Sequence, residues 1–584
     1  MLKTKISEIN FDRFESIRDK YNRIDDNGVN HGRAIYFDSI NNLYYKLFHK
    51  DYVRRTNFEM AIDKNFFDGM IPALVSLIVD GNDIVGYVSK AGQVLSDNEF
   101  DTHLIPDEFT EKLINKIKDT DLFFYDFVPS NIIRLDDGQL SLIDLESVYE
   151  IKDLFNIEKH NAKIKPDSLY DVVYSEWRKQ LKPISFIQPS RNNLKYLKWS
   201  YNSIRKNLGY IHEICWADDF SDDGTWEWMQ EIQKKDPNVK IHRNEGPTRL
   251  GHTILYDTLV NDYATNDIVM IYHADMYACP GLDEAINKHI KPGVVVSATR
   301  IEPPLHPDGP EKILADYGIE PEEFDERQLL RDLDKFRDFT KTTEGIFAPW
   351  AIYKSDFQKI GGHDPLYAPQ SKEDSDIFNR FVLAGYKLVQ TWSGFVYHMT
   401  CRGSRFADGA KRNPTGEVFM KNRETDEWLQ QNERSTRNFI RKWGHFVKHD
   451  TLLKPIVPPK YNVGFVIENC NDQLLELLEP WCSTIYVDTY VEDYIEKEQP
   501  NTMFDLNERV RDIGDVIHET GYKHDVELWF DGTKFNNNSF QYIQQLPEIL
   551  QDSGELGEME MDIFKITINS LETYEKNLIS CNNI

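Results

Sequence analysis

The chain is poor in cysteine, in basic charge and in long apolar runs, and each shortage excludes something. Its six cysteines (Cys215, Cys279, Cys401, Cys470, Cys482, Cys581) are scattered over 584 residues without a Cys-x-x-Cys pair. That spacing argues against a disulfide framework and against a zinc cluster. Acidic residues outnumber basic ones 97 to 68, a formal charge of −29. Nucleic acid and anionic membrane surfaces are polyanions, so neither is an expected generic partner, although a local basic pocket for a phosphorylated ligand is compatible. No apolar stretch reaches the roughly 18 residues of a membrane span. The first residues, MLKTKISEINFDRFESIRDKYNRIDD, lack the apolar centre of a signal peptide. The expectation is a cytoplasmic protein. There is no short-period repeat and no low-complexity tract.

What is present is core-forming sequence: 40% hydrophobic and 12% aromatic residues. The length exceeds what one core supports, so two to four domains are expected. Residues 1–178 carry strand-like pieces (RAIYFD, NLYYKLF, ALVSLIVDGNDIVGYVSK) and a helical PDEFTEKLINKIKD. From 183 onward apolar strands alternate with amphipathic helices, the pattern of an α/β sheet. The strand candidates are ISFIQPS, IHEICWADD, KIHRNEG, DIVMIYHAD and GVVVSATRI. Proline-rich sequence at 451–461 reads as a linker. A third block, 462–584, opens with VGFVIENC and carries a further strand at VELWFDG.

Acids collect where the central strands end. Asp218 and Asp219 close the second strand, Asp275 closes the run IVMIYHAD, and Glu373-Asp374 precede a helix, while His398 follows a late strand. Ligands of open α/β sheets sit beyond the carboxyl ends of the strands. Acids converging there need a cation, a proton or a ligand donor among them. Taken singly, each also suits a turn or a helix N-terminus.

The ordered set resembles the family 2 glycosyltransferases of the GT-A fold. It runs Pro189, DDFSDDGT at 218–225, Asp275 five residues before Pro280, GGHD at 361–364, Glu373-Asp374, and His398. The resemblance covers roughly 220 residues. It implies a nucleotide-sugar donor, UDP-type favoured, bound through Pro189, Asp219 and Arg249. It implies a Mn2+ or Mg2+ ion held by Asp275 and His398 on the donor diphosphate. Asp374, with Glu373 beside it, is implied as the base that deprotonates an acceptor hydroxyl of a glycan or similar molecule, with inversion at the anomeric carbon. One departure is the absence of a second acid after Asp275, where Met276 and Tyr277 stand. The segment 302–343 is long for a connection and is expected to be a lid or an acceptor-binding element. Trp350 after it suits either a sugar platform or a core.

Near the amino terminus, FFYDFVPSNIIRLDDGQLSLIDLES places Asp126 five residues before Asn131, and an apolar run leads to Asp144. This resembles the protein-kinase-like fold of sugar and lipopolysaccharide kinases. By that resemblance Asp126 would orient an acceptor hydroxyl, and Asn131 and Asp144 would hold magnesium on ATP. Lys46 would meet the phosphates and pair with Glu59. Tyr125 stands in place of the family's histidine, DDNGVNHG (25–32) is a poor glycine-rich loop, and little chain follows Asp144 for a substrate lobe.

The expected architecture is therefore α/β and multidomain: a reduced kinase-like α+β domain at 1–178, a Rossmann-like GT-A domain at 183–450, and an α/β accessory or oligomerisation domain at 462–584. The leading functional expectation is a metal-assisted inverting glycosyltransferase. The alternatives are a small-molecule kinase with a degenerate sugar-binding transferase domain, and a non-catalytic glycan-binding scaffold.

Overall fold

The apolar runs of the central block become strands, and alternation along them assigns side chains to two opposite faces. The computed structural model describes residues 6–24, 33–48, 54–95, 107–120, 122–124, 131–150, 181–400, 410–420, 424–515 and 524–580. Two compact units are present, Met1–Gln180 and Leu181–Ile584.

In the second unit, Val239–Asn244, Glu213–Asp219, Ile184–Ser190 and Ile268–Ile271 lie side by side and parallel in that order. Trp350–Tyr353 continues the sheet antiparallel, followed by Val294–Glu302, Lys387–His398 and Met276–Ala278. On one face Phe186, Trp216 and Met270 meet Leu197, Met229 and Ile286 from the helices Leu194–Asn207, Thr225–Lys235 and Leu282–His289. On the other, Ile187, Ala217 and Ile271 meet Leu255, Ile377 and Phe381 from Gly251–Thr258 and Glu373–Leu383. Trp350 belongs to this second layer and is fully buried against Phe357, Phe378 and Phe381, so it is core and not a sugar platform.

The segment 302–343 packs as structure of its own. Lys312–Leu314 adds a parallel strand beside Val294–Glu302, and Glu326–Phe336 is a helix capped by the Asp325 side chain. Phe324 sits among Trp199, Tyr277 and Tyr397, and the Tyr397 hydroxyl donates to Gly318 O at 2.6 Å.

A second sheet in the same unit repeats the strand order of the first. Val510–Asp512, Thr484–Val487, Val463–Glu468 and Val526–Asp531 are parallel, and Phe564–Ile568 and Gly557–Met561 follow antiparallel. Its strand ends are occupied by their own neighbours. Asp488 accepts from the Asn469 and Cys470 amides at 2.7 and 2.9 Å, and Asp531 accepts from Thr533 N and Asn469 Nδ2 at 3.0 and 3.1 Å.

The helix Asp426–Trp443 ties the two sheets together. Lys442 Nζ reaches Asp364 at 2.6 Å and Asp376 at 2.7 Å, and Trp443 Nε1 donates to Asp376 at 2.9 Å. The neighbouring Arg441 reaches Glu479 at 2.7 Å and Glu498 at 2.6 Å, and Arg509 binds Glu479 at 2.7 Å. Burial works against the Glu479 charge, but Arg509 and Arg441 overcome it and hold the carboxyl down at about 2.

The first unit carries a mixed sheet in the order Ser7–Asn10, Leu74–Asp80, Asp83–Lys90, Leu43–Phe48, Arg33–Asp38, Asn22–Arg23. Lys46, buried, reaches Asp144 Oδ1 at 2.5 Å and Glu146 Oε1 at 2.7 Å. Glu59 is not its partner: Glu59 accepts from Ile84 N at 2.9 Å and faces Arg55 at 3.8 Å, because it lies on Arg54–Asp63 toward the Asp83–Lys90 strand. Asn131 directly precedes the strand Ile132–Arg134, and its carbonyl accepts from Ile143 N at 2.9 Å. Asp126, Tyr125 and DDNGVNHG lie outside the described residues. Among the described residues Cys215, Cys279, Cys470 and Cys482 are free thiols. No described helix is long and apolar enough to cross a membrane.

Removing one member of a buried ion pair leaves the other charge uncompensated, at a cost of about 3–5 kcal/mol. Arg441→Ala should therefore lower the unfolding free energy read from urea titration of the full chain by an amount in that range. Because the folded-state value of Glu479 is depressed, its contribution is complete above the ordinary 4.5 and is lost as pH falls through about 2. Urea midpoints of wild type and Glu479→Gln should converge over that acid window.

Candidate functional site

The sheet's carboxyl edge opens on a cleft of about 1050 Å³. The end of the first strand supplies Pro189 and Arg191, the Gly251–Thr258 helix supplies His252 and Tyr256, and the loop entering Glu373–Leu383 supplies Gln370 to Asp374. Residues of 302–343 are absent from the described lining, which departs from the expected lid: the insertion spends its apolar side chains on Tyr397 and Trp199 instead.

Local chemistry positions each wall. In DDFSDDGT, Asp223 accepts from Leu194 N at 3.0 Å and from Thr225 N at 3.1 Å, so one carboxylate serves the first turns of two helices. Asn192 exchanges bonds with Ser221 and Asp222 at 2.9 Å each, locking the loop after Pro189 to this turn. Arg191 lies over the Phe220 ring at 4.4 Å.

Asp219 does not stand in the cleft. Its oxygens accept from Asn244 Nδ2 at 2.6 Å, Leu250 N at 3.1 Å and Gly251 N at 2.9 Å. It is the anchor of the loop that carries Arg249, whose Nη2 donates to Gln370 at 2.8 Å. Gly251 has φ of +70°, and a Cβ there would lie 2.0 Å from Pro369 O, so the helix start and the 368–372 loop approach as closely as only glycine permits. Asp364 of GGHD is structural: it accepts from Leu366 N at 2.9 Å and pairs with Lys442.

Asp275 and His398 are brought together by pairing. Met276 lies opposite His398 in the antiparallel register of Met276–Ala278 with Lys387–His398, and Met399 N donates to Asp275 O at 3.1 Å. The side chains meet with His398 Nε2 3.4 Å from Asp275 Oδ1. The third donor is His273. Donor atoms of His273, Asp275 and His398 all lie within 4.8 Å of one another. The residues after Asp275, where the sequence lacks an acid, are buried strand positions, Met276 at 0% and Tyr277 at 3% exposure. A further donor, an imidazole and not the absent acid, stands two residues before Asp275, as His273-x-Asp275. The spacing itself was visible in the sequence.

Behind this trio, His398 Nδ1 bonds Glu302 at 2.7 Å, and Glu302 is held by Arg300 at 3.1 Å and Lys312 at 3.3 Å. Burial opposes charge on Glu302, but Arg300 and His398 outweigh it and keep the carboxylate ionised far below the usual range. Burial pushes His273 down to about 3, so it presents a neutral imidazole. Burial also opposes charge on His398, but Asp275 and Glu302 lift it to about 9, and a bound cation would replace that proton. Two imidazoles and a carboxylate, one imidazole oriented by a second carboxylate, suit a divalent transition ion better than magnesium, which prefers oxygen ligands. The residues present therefore fit a metal.

Across the cleft, Glu373 and Asp374 occupy the first turn of Glu373–Leu383, with Lys372 before them at φ of +70°. Burial raises both, Glu373 to about 7, and the neighbouring charge of Asp374 adds to the rise at Glu373. Among the described residues, Glu373 Oε2, Ser190 Oγ and Arg191 Nε are buried with no hydrogen-bond partner, and all three residues line the cleft. Unsatisfied buried polar atoms converging on one cavity are what a polar ligand would satisfy.

The family model described as "Glycosyl transferase family 2" matches residues 185–361. Among solved structures, GalNAc-T7 with UDP, GalNAc and Mn2+ is similar at 14% identity and a TM-score of 0.30, over 38% of this chain and 43% of that one. The mannosyltransferase PcManGT of Pyrobaculum calidifontis, in complex with GDP-Man and Mn2+, is similar at 18% identity and 0.27, over 42% and 68%. TarS of S. aureus with UDP-GlcNAc is similar at 17% and 0.26, over 38% and 62%. The chain thus spans under half the length of GalNAc-T7. A sequence search of curated proteins returns no match.

His273→Ala should weaken Mn2+ binding in the presence of UDP, read by titration calorimetry. Glu302→Gln should cost about 10- to 100-fold in the same measurement, the usual effect of removing a carboxylate behind a ligating histidine.

Proposed function

We propose that Leu181–Ile584 is a metal-dependent, inverting glycosyltransferase that takes a sugar from a nucleotide-sugar donor, UDP-type favoured, to a hydroxyl acceptor. The observation that carries it is one cleft lined by His273, Asp275 and His398 as well as by Glu373 and Asp374. The match of residues 185–361 to the family model supports the same reading.

In this reading the donor's nucleotide lies against Pro189 and Arg249, and Asp219 acts through the loop it anchors. A divalent cation bound by His273, Asp275 and His398 would offset charge on the leaving diphosphate. Asp374 removes the acceptor hydroxyl's proton as that oxygen attacks the anomeric carbon. The bond to the diphosphate oxygen breaks with its electron pair, inverting the centre. Burial has raised Asp374, which makes it a stronger base than an exposed carboxylate.

A panel of nucleotide sugars with Mn2+ or Mg2+, scored by nucleotide release, tests the proposal, and release with a UDP-sugar and Mn2+ is expected. No release with any donor would favour a glycan-binding scaffold. Asp374→Asn should cut kcat by about 10²- to 10⁴-fold, and unchanged release would remove the base assignment. A base must be deprotonated to act, so the rate should fall as pH drops below about 7, where the Glu373–Asp374 pair takes up a proton.

A second reading concerns Met1–Gln180. The 2.5 Å pair between Lys46 and Asp144, 98 residues apart, favours a kinase-like nucleotide module. Mg-ATP binding by the full chain, weakened in Lys46→Ala, is the expected result. Turnover of ATP that survives Asp126→Ala would exclude catalysis of the kinase type.

A further inference from the structure

The motif GGHD stands out in the sequence, yet the proposed chemistry uses none of its side chains. Asp364 serves the fold through Lys442. His363 beside it is a buried titratable group with no task so far.

Three bonds fix His363 to Asp257 of the Gly251–Thr258 helix. Its amide donates to the two carboxylate oxygens at 3.0 and 3.2 Å, and ring nitrogen Nδ1 lies 2.7 Å from Oδ1. A carboxylate can only accept, so Nδ1 carries a hydrogen and donates it. Gly362 allows this approach: its φ is +67°, and a Cβ there would lie 2.0 Å from Asp257 Oδ2. The second glycine of the motif thus admits the acid that orients the imidazole.

The same loop is fastened to the helix that carries Glu373 and Asp374. Arg380 of that helix donates to Ile360 O at 2.8 Å and to Gly362 O at 2.6 Å. Tyr256 joins the two sides again, its ring stacked on His363 at 5.5 Å while it lines the cleft together with Glu373 and Asp374. Trp350 lies 6.2 Å from the His363 ring and 5.9 Å from Phe378 of the acid-bearing helix. Among the described residues, His363 Nε2 and Glu373 Oε2 are both buried without a hydrogen-bond partner.

Charged and titratable groups face this imidazole from the elements packed on it. Gly251–Thr258 brings Asp257, Tyr256 and His252, and Glu373–Leu383 brings Glu373, Asp374 and Arg380, while Lys354–Lys359 offers only the Phe357 ring. Asp376 is already paired with Arg380 and Lys442. Burial opposes charge on His363, but Asp257 outweighs it and Asp374 and Glu373 add to the rise, so the ring keeps its proton above the ordinary value. Burial raises Asp374, and His363 and Arg300 counter it; at Glu373, burial and Asp374 raise, and His363 and Lys372 counter.

We infer that Asp257 and His363 are positioning residues for the proposed base: an imidazolium held behind Tyr256 favours the ionised form of the Glu373–Asp374 pair. Neither residue touches a reacting atom. The inference rests on the transferase reading for the role of Asp374, whereas the charge coupling stands apart from it.

Infrared difference spectroscopy against pH, on the full-length protein without ligand, reads the pair directly. The band of the protonated pair is identified by its loss in Glu373→Gln/Asp374→Asn. Its midpoint should lie at about 7 in the wild type. It should rise by about one pH unit in His363→Gln, the low end of what a neighbouring opposite charge does. Asp257→Asn keeps the shape of the site and removes the charge that favours the imidazole proton, so it should raise the midpoint too, by less. Thermal midpoints within a few degrees of wild type identify folded variants, and if His363→Gln is not among them, Asp257→Asn decides. With a donor that is turned over, kcat of His363→Gln should be down about tenfold on the acid limb, the equivalent of one unit. The two curves should converge as pH rises past that limb. An unmoved or lowered midpoint, or a kcat loss by the same factor at every pH, would overturn the inference. If the midpoint shifts while the wild type releases no nucleotide from any donor, the transferase reading falls and the coupling stands.

Discussion

Arg441 and Lys442 are consecutive residues at the end of one helix, and most of the second unit's organisation depends on their pointing different ways. Successive side chains on a helix diverge by about 100°, so neighbouring cations reach separate acid clusters. Lys442 binds Asp364 and Asp376, beside the turn that carries Glu373 and Asp374, while Arg441 binds Glu479 and Glu498 near the second sheet. Both lysine and arginine are buried, so these charges are tolerable only together with their partners. The clamp holds the acid pair, the helix Asp426–Trp443 and the second sheet in one arrangement. The cleft itself takes walls from the first two, Glu373 and Asp374 on one side and Trp428, Leu429 and Asn432 on the other.

The candidate metal centre depends on a different constraint, the crossing of two sheet directions. A parallel strand, Ile268–Ile271, delivers His273 and Asp275, and a long strand arriving late in the chain delivers His398. Antiparallel pairing of Met276 with His398 fixes their separation before any ligand binds. Charge then organises the donors. Glu302 holds one nitrogen of His398, and Arg300 and Lys312 keep Glu302 ionised, so the other nitrogen faces Asp275.

The two sheets of this unit show that strand order alone does not make a site. Both run in the order third, second, first, fourth, and then antiparallel. In the first sheet the strand ends diverge onto a cleft. In the second, a Cβ on Gly532 would lie 2.9 Å from Asn469 O, and the acids there already serve their own turns. The same acid-at-strand-end signal in sequence therefore carries different meanings in the two places.

Much of the fold was legible before the structure. ISFIQPS is a strand from its first residue to its last, as a mostly apolar run buried on both faces requires, and VELWFDG is a strand as far as Asp531, with Gly532 beyond its end. Asp275, Asp374 and His398 were legible through order and spacing, and the structure lines one cleft with them. Other features follow only from chain segments far apart in sequence meeting in space. Asp219 is consumed by its own loop, Glu59 faces away from Lys46, and His273 completes a donor set whose third member lies 125 residues away at His398. Pattern and spacing along the chain determine which residues reach a strand end. Only tertiary packing decides which of them find partners there and which remain free to bind something else.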